Sequence, residues 1–269
     1  MSFFRSGWGF IRSLWNLRRT IWELARRDFI SQHSGTVLGV FWNYVQPLTY
    51  AFVVTIVFTV GLRQGRTVGV PYLPFLISGM IAWHFFSAGL GGQTGVIKSH
   101  SFLVRKGNFN LAILPLGKLF SLTVPHLAVI AATVGICWAN GFPPGLHTLQ
   151  VFYYLAAAFC LLLGLGWITS ATSLFLEDVQ NVVGVVLQFG FWLTPIIWSL
   201  DRVPGRYRWL FQANPACYLV DGYRDSLITA VGFWEKPWAT AYYWAASLLI
   251  LTVGGVVFRR LRPHFGEVV

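Results

Sequence analysis

The feature that most constrains this chain is the length of its uncharged runs. No Lys, Arg, Asp or Glu occurs from 29 to 62, from 67 to 97, from 119 to 176, from 180 to 200, or from 237 to 258. A helix needs roughly 20 apolar residues to cross about 30 Å of hydrocarbon, and an unpaired charge buried there is costly. The runs therefore mark bilayer crossings, whereas a β-barrel would show short alternating segments. The third run is too long for one crossing. Asn140-Gly141-Phe142-Pro143-Pro144-Gly145 divides it, a turn signal whose paired prolines stop a helix.

An all-α polytopic membrane protein follows, with six transmembrane helices near 38–62, 71–97, 115–139, 150–175, 181–200 and 238–258. Residues 1–37 read as a cytoplasmic tail, 38–258 as the transmembrane domain and 259–269 as a short cytoplasmic tail. A net charge of +11 would point to nucleic acid in a soluble protein, but here only 11% of residues are charged and no polar, solvated surface carries them. Nucleic acid is excluded as a partner.

Orientation follows from the basic residues of the connections. Arg5, Arg12, Arg18, Arg19, Arg26 and Arg27 precede the first span. Lys98, Arg105, Lys106 and Lys118 surround the second connection, and Arg259, Arg260 and Arg262 follow the last span. The other side holds fewer: Arg63, Arg66, Arg202, Arg206, Arg208, Arg224 and Lys236. Both termini are expected in the cytoplasm.

The first tail is not a signal peptide, because arginines interrupt its apolar residues. Leu14, Leu17, Ile21, Leu24 and Ala25 fall at helical spacing. The segment reads as an amphipathic helix in the cytoplasmic interface. Residues 201–237 are too aromatic for a plain linker. A short helix starting near Asp201 and a second from Ala216 toward Leu227 would form a re-entrant, outer-interface region.

Catalytic and metal signatures are missing: no phosphate-binding glycine loop, dinucleotide fingerprint, HExxH or CxxC occurs. The chain is expected to be no enzyme and to hold no cofactor or metal. Gly89-Leu90-Gly91-Gly92-Gln93-Thr94-Gly95 lies in an apolar span and suits close helix packing. His126, directly after Pro125, reads as a packing histidine. Glu177 and Asp178 fit the start of the span at Asn181, where a helix N-terminus favours negative charge. With every acidic residue outside the spans, a transporter driven by another chain is the best match.

Two polar stripes mark a candidate path. In the first span Asn43, Gln46 and Tyr50 follow helical spacing; in the fifth, Asn181, Gly184, Gln188 and Trp192 do so and lead toward Pro195, with Trp198 a further candidate beyond it. Such stripes face protein or a channel rather than lipid. Amides and rings together suit a sugar polymer, although ordinary helix packing accounts for them almost as well.

Several ordered patterns carry a family resemblance. They are Trp22-Glu23-Leu24-Ala25-Arg26-Arg27-Asp28, Gly79-Met80-Ile81-Ala82-Trp83-His84-Phe85-Phe86, Phe102-Leu103-Val104-Arg105-Lys106, and Phe191-Trp192-Leu193-Thr194-Pro195-Ile196-Ile197-Trp198 leading to Asn214-Pro215 and Tyr223-Arg224. Together they resemble the membrane subunit of ABC-2 type polysaccharide exporters, which carry O-antigen, capsule or teichoic acid, and Thr194-Pro195-Ile196 leans toward O-antigen. The resemblance implies a homodimer in the bacterial inner membrane with two copies of a cytoplasmic ABC ATPase, which binds ATP and Mg. It implies a coupling segment at 98–109, with Lys98, Ser99, His100, Phe102, Arg105 and Lys106 meeting the ATPase. The substrate implied is an undecaprenyl-diphosphate-linked glycan, with Arg18, Arg19, Arg26 and Arg27 placed to attract its diphosphate. The alternatives are an ABC-2 exporter of a small lipid or drug, and a lipid-modifying enzyme or assembly factor.

Overall fold

A computed structural model describes residues 17–33, 41–61, 66–67, 69–105 and 109–268; the side chains of 42–44, 46, 47 and 66 lie outside that set. Among the described residues the chain forms α1 (Arg18–His33), α2 (Trp42–Ile56), α3 (Tyr72–Thr94), the short α4 (Val96–Ser99) and α5 (Ser101–Arg105), α6 (Leu114–Ala139), α7 (Gln150–Thr172), α8 (Asp178–Leu193), α9 (Gly205–Gln212), α10 (Pro215–Arg224), α11 (Pro237–Leu261) and α12 (Phe265–Val268). A two-residue hairpin, β1 (Arg66–Thr67) against β2 (Val70–Pro71), precedes α3 with Thr67 opposite Val70. Its turn uses Gly69 at φ 76, a left-handed conformation that costs glycine little.

Prolines set many of the boundaries. Pro71 precedes α3, and Pro115, Pro215 and Pro237 stand in the first turns of α6, α10 and α11, where a missing N–H costs nothing. Asn214 caps α10 by accepting from the Ala216 amide.

Four helices are long and apolar enough to cross a bilayer: α3, and α6, α7 and α11 with the single turns that extend them. They match the expected second, third, fourth and sixth spans to within a few residues. The fifth does not continue to 200. α8 stops at Leu193 after 16 residues, and Thr194 is extended at ψ 135. Pro195 is the cause, since the residue before a proline is driven out of the helical region. α2 passes into a wider π-type turn at Val57–Gly61.

The 201–237 connection also differs in detail. A 3-10 turn occupies Leu200–Arg202, so the first short helix begins at Gly205 rather than Asp201. The second starts at Pro215 and gives way after Arg224 to a wide turn, Asp225–Thr229, closed by Ala230 at φ 55.

α3 is the central post. Its apolar residues run round the whole cylinder, as expected of a helix enclosed on all sides. It packs against α2, α6, α7, α8 and α10. The glycine-rich piece behaves as a packing surface: a Cβ at Gly89 would lie 2.8 Å from the Leu162 side chain, and one at Gly92 would lie 2.6 Å from that of Lys118. α7 and α11 approach more closely still. A Cβ at Gly254 would lie 2.3 Å from the Gly164 carbonyl oxygen, so the two backbones touch.

A second apolar cluster sits at the basic end of the bundle. Ile21 of α1, Ile97 and Leu103 of the α4–α5 segment, Leu111, Trp167, Phe258 and Phe265 share it. The segment after α3 therefore rests on the tail helix and on both ends of the later chain. Elsewhere Phe120, Phe152, Leu249 and Val253 stay exposed, a surface suited to hydrocarbon.

Candidate translocation path and coupling segment

α8 touches the rest of the chain along one narrow edge. Val183 is its sole buried residue among those described, while Val182, Val186, Phe189, Trp192 and Leu193 are exposed. Asn181 and Gln188 lie on the same uncovered surface. The polar stripe expected on this helix is thus left open by a single chain.

At the C-terminal end of α8 the aromatic residues converge. Tyr50 of α2 meets Phe191 edge-on at 6.1 Å, and Phe191 meets Trp192 at 5.5 Å. The Trp198 indole donates to the Trp192 carbonyl at 3.1 Å. Tyr50, Trp192 and Trp198 are therefore brought together, whereas Asn181 stands eleven residues below Trp192, about 16 Å along the helix. The side chains of Asn43 and Gln46 lie outside the described residues.

The break after α8 exposes carbonyls that a continuing helix would have used. Arg224 covers them. Its guanidinium donates to the Pro195 and Ile196 carbonyls, both at 2.6 Å, and to the Phe75 carbonyl at 3.3 Å. It lies 3.8 Å above the Phe75 ring and is only 7% exposed. Tyr72 donates to the Ile197 carbonyl at 2.9 Å, and Asn214 donates to the Thr194 hydroxyl at 2.9 Å. Gly79 makes room for the guanidinium: a Cβ there would lie 2.7 Å from Nη2. Beside this clamp, His126 shares a 2.8 Å hydrogen bond with Tyr223 and packs on Phe85, the packing role expected of it.

At the basic end, α1 presents Ile21, Leu24 and Ala25 to α6, with Leu24 fitted against Gly117. Leu17, half-buried, joins this face, and Leu14 lies outside the described residues. Arg18, Arg19, Arg26 and Arg27 are exposed on the other side. Asp28 fixes the helix: Lys118 donates to both of its oxygens at 3.1 and 3.0 Å, and Ser121 donates at 2.5 Å.

Of the expected coupling residues, Lys98, Ser99, Phe102 and Arg105 are exposed and His100 is half-buried. Lys106 lies outside the described residues. The His100 ring shares hydrogen bonds with the Val96 carbonyl and Ser99 hydroxyl, where the segment bends between α4 and α5. Lys98 reaches across to Glu177 at 2.5 Å, just before α8. Glu177 and Asp178 stand at the N-terminus of α8 as expected, and Glu177 makes this ion pair rather than a side-chain cap. The Lys98 ammonium holds the Glu177 carboxyl below the usual carboxylate range.

A family model described as ABC-2 type transporter matches residues 19–228. The chain belongs to the ABC-2 type transporter family. This ABC-2 transporter is 26% identical over 254 residues to the O-antigen export system permease protein RfbA of Myxococcus xanthus, covering 90% of this chain and 92% of that one. It is 24% identical over 245 residues to an RfbA of Klebsiella pneumoniae, with the same coverage. With the polysialic acid transport protein KpsM of Escherichia coli it shares 21% over 229 residues, 82% of this chain and 85% of the other. Family membership and the apolar helices make it a multi-pass membrane transport protein.

Two buried polar contacts of this ABC-2 transporter are not evident from the sequence. Arg224 was counted among the outer basic residues, although the structure buries it. Tyr223-Arg224 stood out as a pattern, but nothing local signals which carbonyls it meets. The Asp28–Lys118 pair joins residues 90 apart in sequence. Its signal was available: a lone basic residue in the first turns of a span invites a partner.

Proposed function

We propose that the chain is the membrane subunit of an ATP-driven exporter that moves a lipid-linked polysaccharide, an O-antigen, out of the cytoplasm across the bacterial inner membrane. The observation that carries the reading is the uncovered face of α8, polar and aromatic in a helix otherwise suited to hydrocarbon. The names of the three relatives, two O-antigen export permeases and one polysialic acid transport protein, agree with it.

In this reading the subunit has six spans, with α2 and α8 completing the set, and both termini are cytoplasmic. Sixteen residues of α8 rise about 24 Å, so the clamped turns after Leu193 supply the rest of the crossing. Two copies pair across a twofold axis and close their α2 and α8 faces around a path. Asn43, Gln46, Tyr50, Asn181, Gln188, Trp192 and Trp198 line it: amides meet sugar hydroxyls and rings meet the apolar sugar faces.

Each subunit carries one cytoplasmic ATPase, which binds ATP and Mg. Its closure pushes on the 98–109 segment. Lys98 passes the displacement through Glu177 to the start of α8, and the shared cluster with Ile21 passes it to α1. The arginines Arg18, Arg19, Arg26 and Arg27 draw the undecaprenyl diphosphate to the interface, as basic side chains draw anionic headgroups. The chain itself makes and breaks no covalent bond.

Purification of the tagged chain in mild detergent tests the class: a stoichiometric ATPase in a two-plus-two assembly is expected. Recovery of the chain alone, under conditions that preserve other such complexes, would defeat it. Reversing Arg105 and Lys106 together should abolish stimulation of the ATPase. Replacing Trp192 or Gln188 singly by Ala should reduce export of long polymers; unchanged export refutes the path.

A further inference from the structure

The outer end of the bundle holds a cavity of about 890 Å³, separate from the α2–α8 face. It is bounded by α9, by α10 and the wide turn after it, and by the first turns of α11. Its size falls within the range of small-molecule sites.

Most of the charge around it is already engaged. Arg224 is held by backbone carbonyls, Lys236 pairs with Asp225, and Glu235 accepts from the Gly232 amide at 2.7 Å. Two carboxylates keep acceptor capacity. Asp221 receives one long hydrogen bond, 3.5 Å from Arg224, and Asp201 receives one from Ser199 with Arg208 at 4.0 Å. Trp209 and Trp238 line the same cavity and are 64% and 86% exposed.

Carboxylate oxygens beside open indole faces select a particular chemistry. A phosphate headgroup would meet mainly acceptors of its own sign. A purely apolar ligand would strip water from Asp221 without replacing its hydrogen bonds, which is costly. A neutral pyranose satisfies both features: its hydroxyls donate to the carboxylates and its C–H face lies on an indole.

We propose that this cavity is a sugar-binding site on the outer face, holding a neutral pyranoside unit of the glycan after it has left the path. The proposal rests on the glycan-export reading. Phe75 and Arg224 form part of the wall, so the site shares residues with the clamp on the outer end of α8. A sugar held there resists sliding back between cycles.

The test is saturation-transfer NMR on the full chain in lipid nanodiscs. The probes are the methyl glycosides of mannose, galactose, rhamnose and N-acetylglucosamine, with glucuronic acid and glycerol phosphate beside them. At least one neutral glycoside should bind in preference to both anions. Asp221→Asn should weaken it about tenfold, the value of one charge-assisted hydrogen bond, and Trp209→Ala about as much through the lost ring contact. Val253→Ala, on the exposed face of α11, should leave it unchanged. Absence of binding by every neutral probe, preference for glycerol phosphate, or binding insensitive to both cavity variants overturns the assignment. Surface glycan of a deletion strain separates the two readings. If deletion leaves export intact, the exporter reading falls. If deletion abolishes export while the cavity variants bind as wild type, the cavity alone is wrong.

Discussion

Replacing Arg224 by Ala tests the clamp that holds the end of α8. The variant leaves the Pro195 and Ile196 carbonyls, each 2.6 Å from a guanidinium nitrogen, without that donor. An unsatisfied buried acceptor costs about 1–3 kcal/mol, and the lost contact over the Phe75 ring adds about 2 kcal/mol. Recovered solvation of the guanidinium offsets part, leaving about 3–5 kcal/mol, the range for breaking a buried charged contact. For a chain of this size that lowers the midpoint of thermal unfolding in detergent by roughly 10 °C. Arg224→Lys should rescue little, since one ammonium cannot reach three carbonyls. Gly79→Ala supplies the sharper half of the test. Helix propensity alone favours Ala by about 0.5–1 kcal/mol, yet here the new Cβ lies 2.7 Å from Nη2 and overpacking costs about 1–3 kcal/mol. In the double variant the guanidinium is gone and the methyl meets chiefly Val220 at 3.1 Å. The two losses should therefore combine to less than their sum, by about 1 kcal/mol. Additive losses, or a Gly79→Ala chain more stable than the parent, would refute the clamp.

At the α7–α11 crossing, Gly254→Val should destabilise the chain by about 3 kcal/mol in a thermal unfolding series, the upper end of the cost of overpacking. Gly135→Ala, whose Cβ meets nothing within 4 Å, should stabilise by about 0.5 kcal/mol. Lys118→Met should loosen α1, costing about 2 kcal/mol and quickening proteolysis after Arg26 or Arg27, while Asp28→Leu with Lys118→Met should recover part of the loss. Lys98→Glu should uncouple the ATPase, and the exchange with Glu177→Lys should restore coupling. Because Lys98 lowers the Glu177 pKa, the pair contributes above the ordinary carboxylate range and is lost only as pH falls through the lowered value; coupling should be flat with pH through neutrality.

The membrane class was legible because it rests on a local quantity. A run of uncharged residues needs no partner to be recognised: Tyr72–Thr94 and Gln150–Thr172 fall within those runs, and Leu114–Ala139 and Pro237–Leu261 pass beyond them only at the ends bearing Lys118 and Arg259-Arg260. The amphipathic tail was legible for the same reason, since helical spacing alone puts Ile21, Leu24 and Ala25 on one face. The break at Pro195 is visible as a residue, yet the uncharged run from 181 to 200 reads as continuous, because charge does not report a proline's effect on its neighbour.

By itself, the sequence determined that this chain spans a membrane several times and roughly where four of its apolar helices begin and end. Hydrocarbon imposes those choices one segment at a time, because each helix satisfies its own backbone. Only the tertiary structure decided that Arg224 closes the end of α8, that Asp28 holds the tail helix, and that Gly164 and Gly254 bring two backbones into contact. Those residues act through partners 28, 90 and 90 positions away, distances at which no local pattern encodes the pairing.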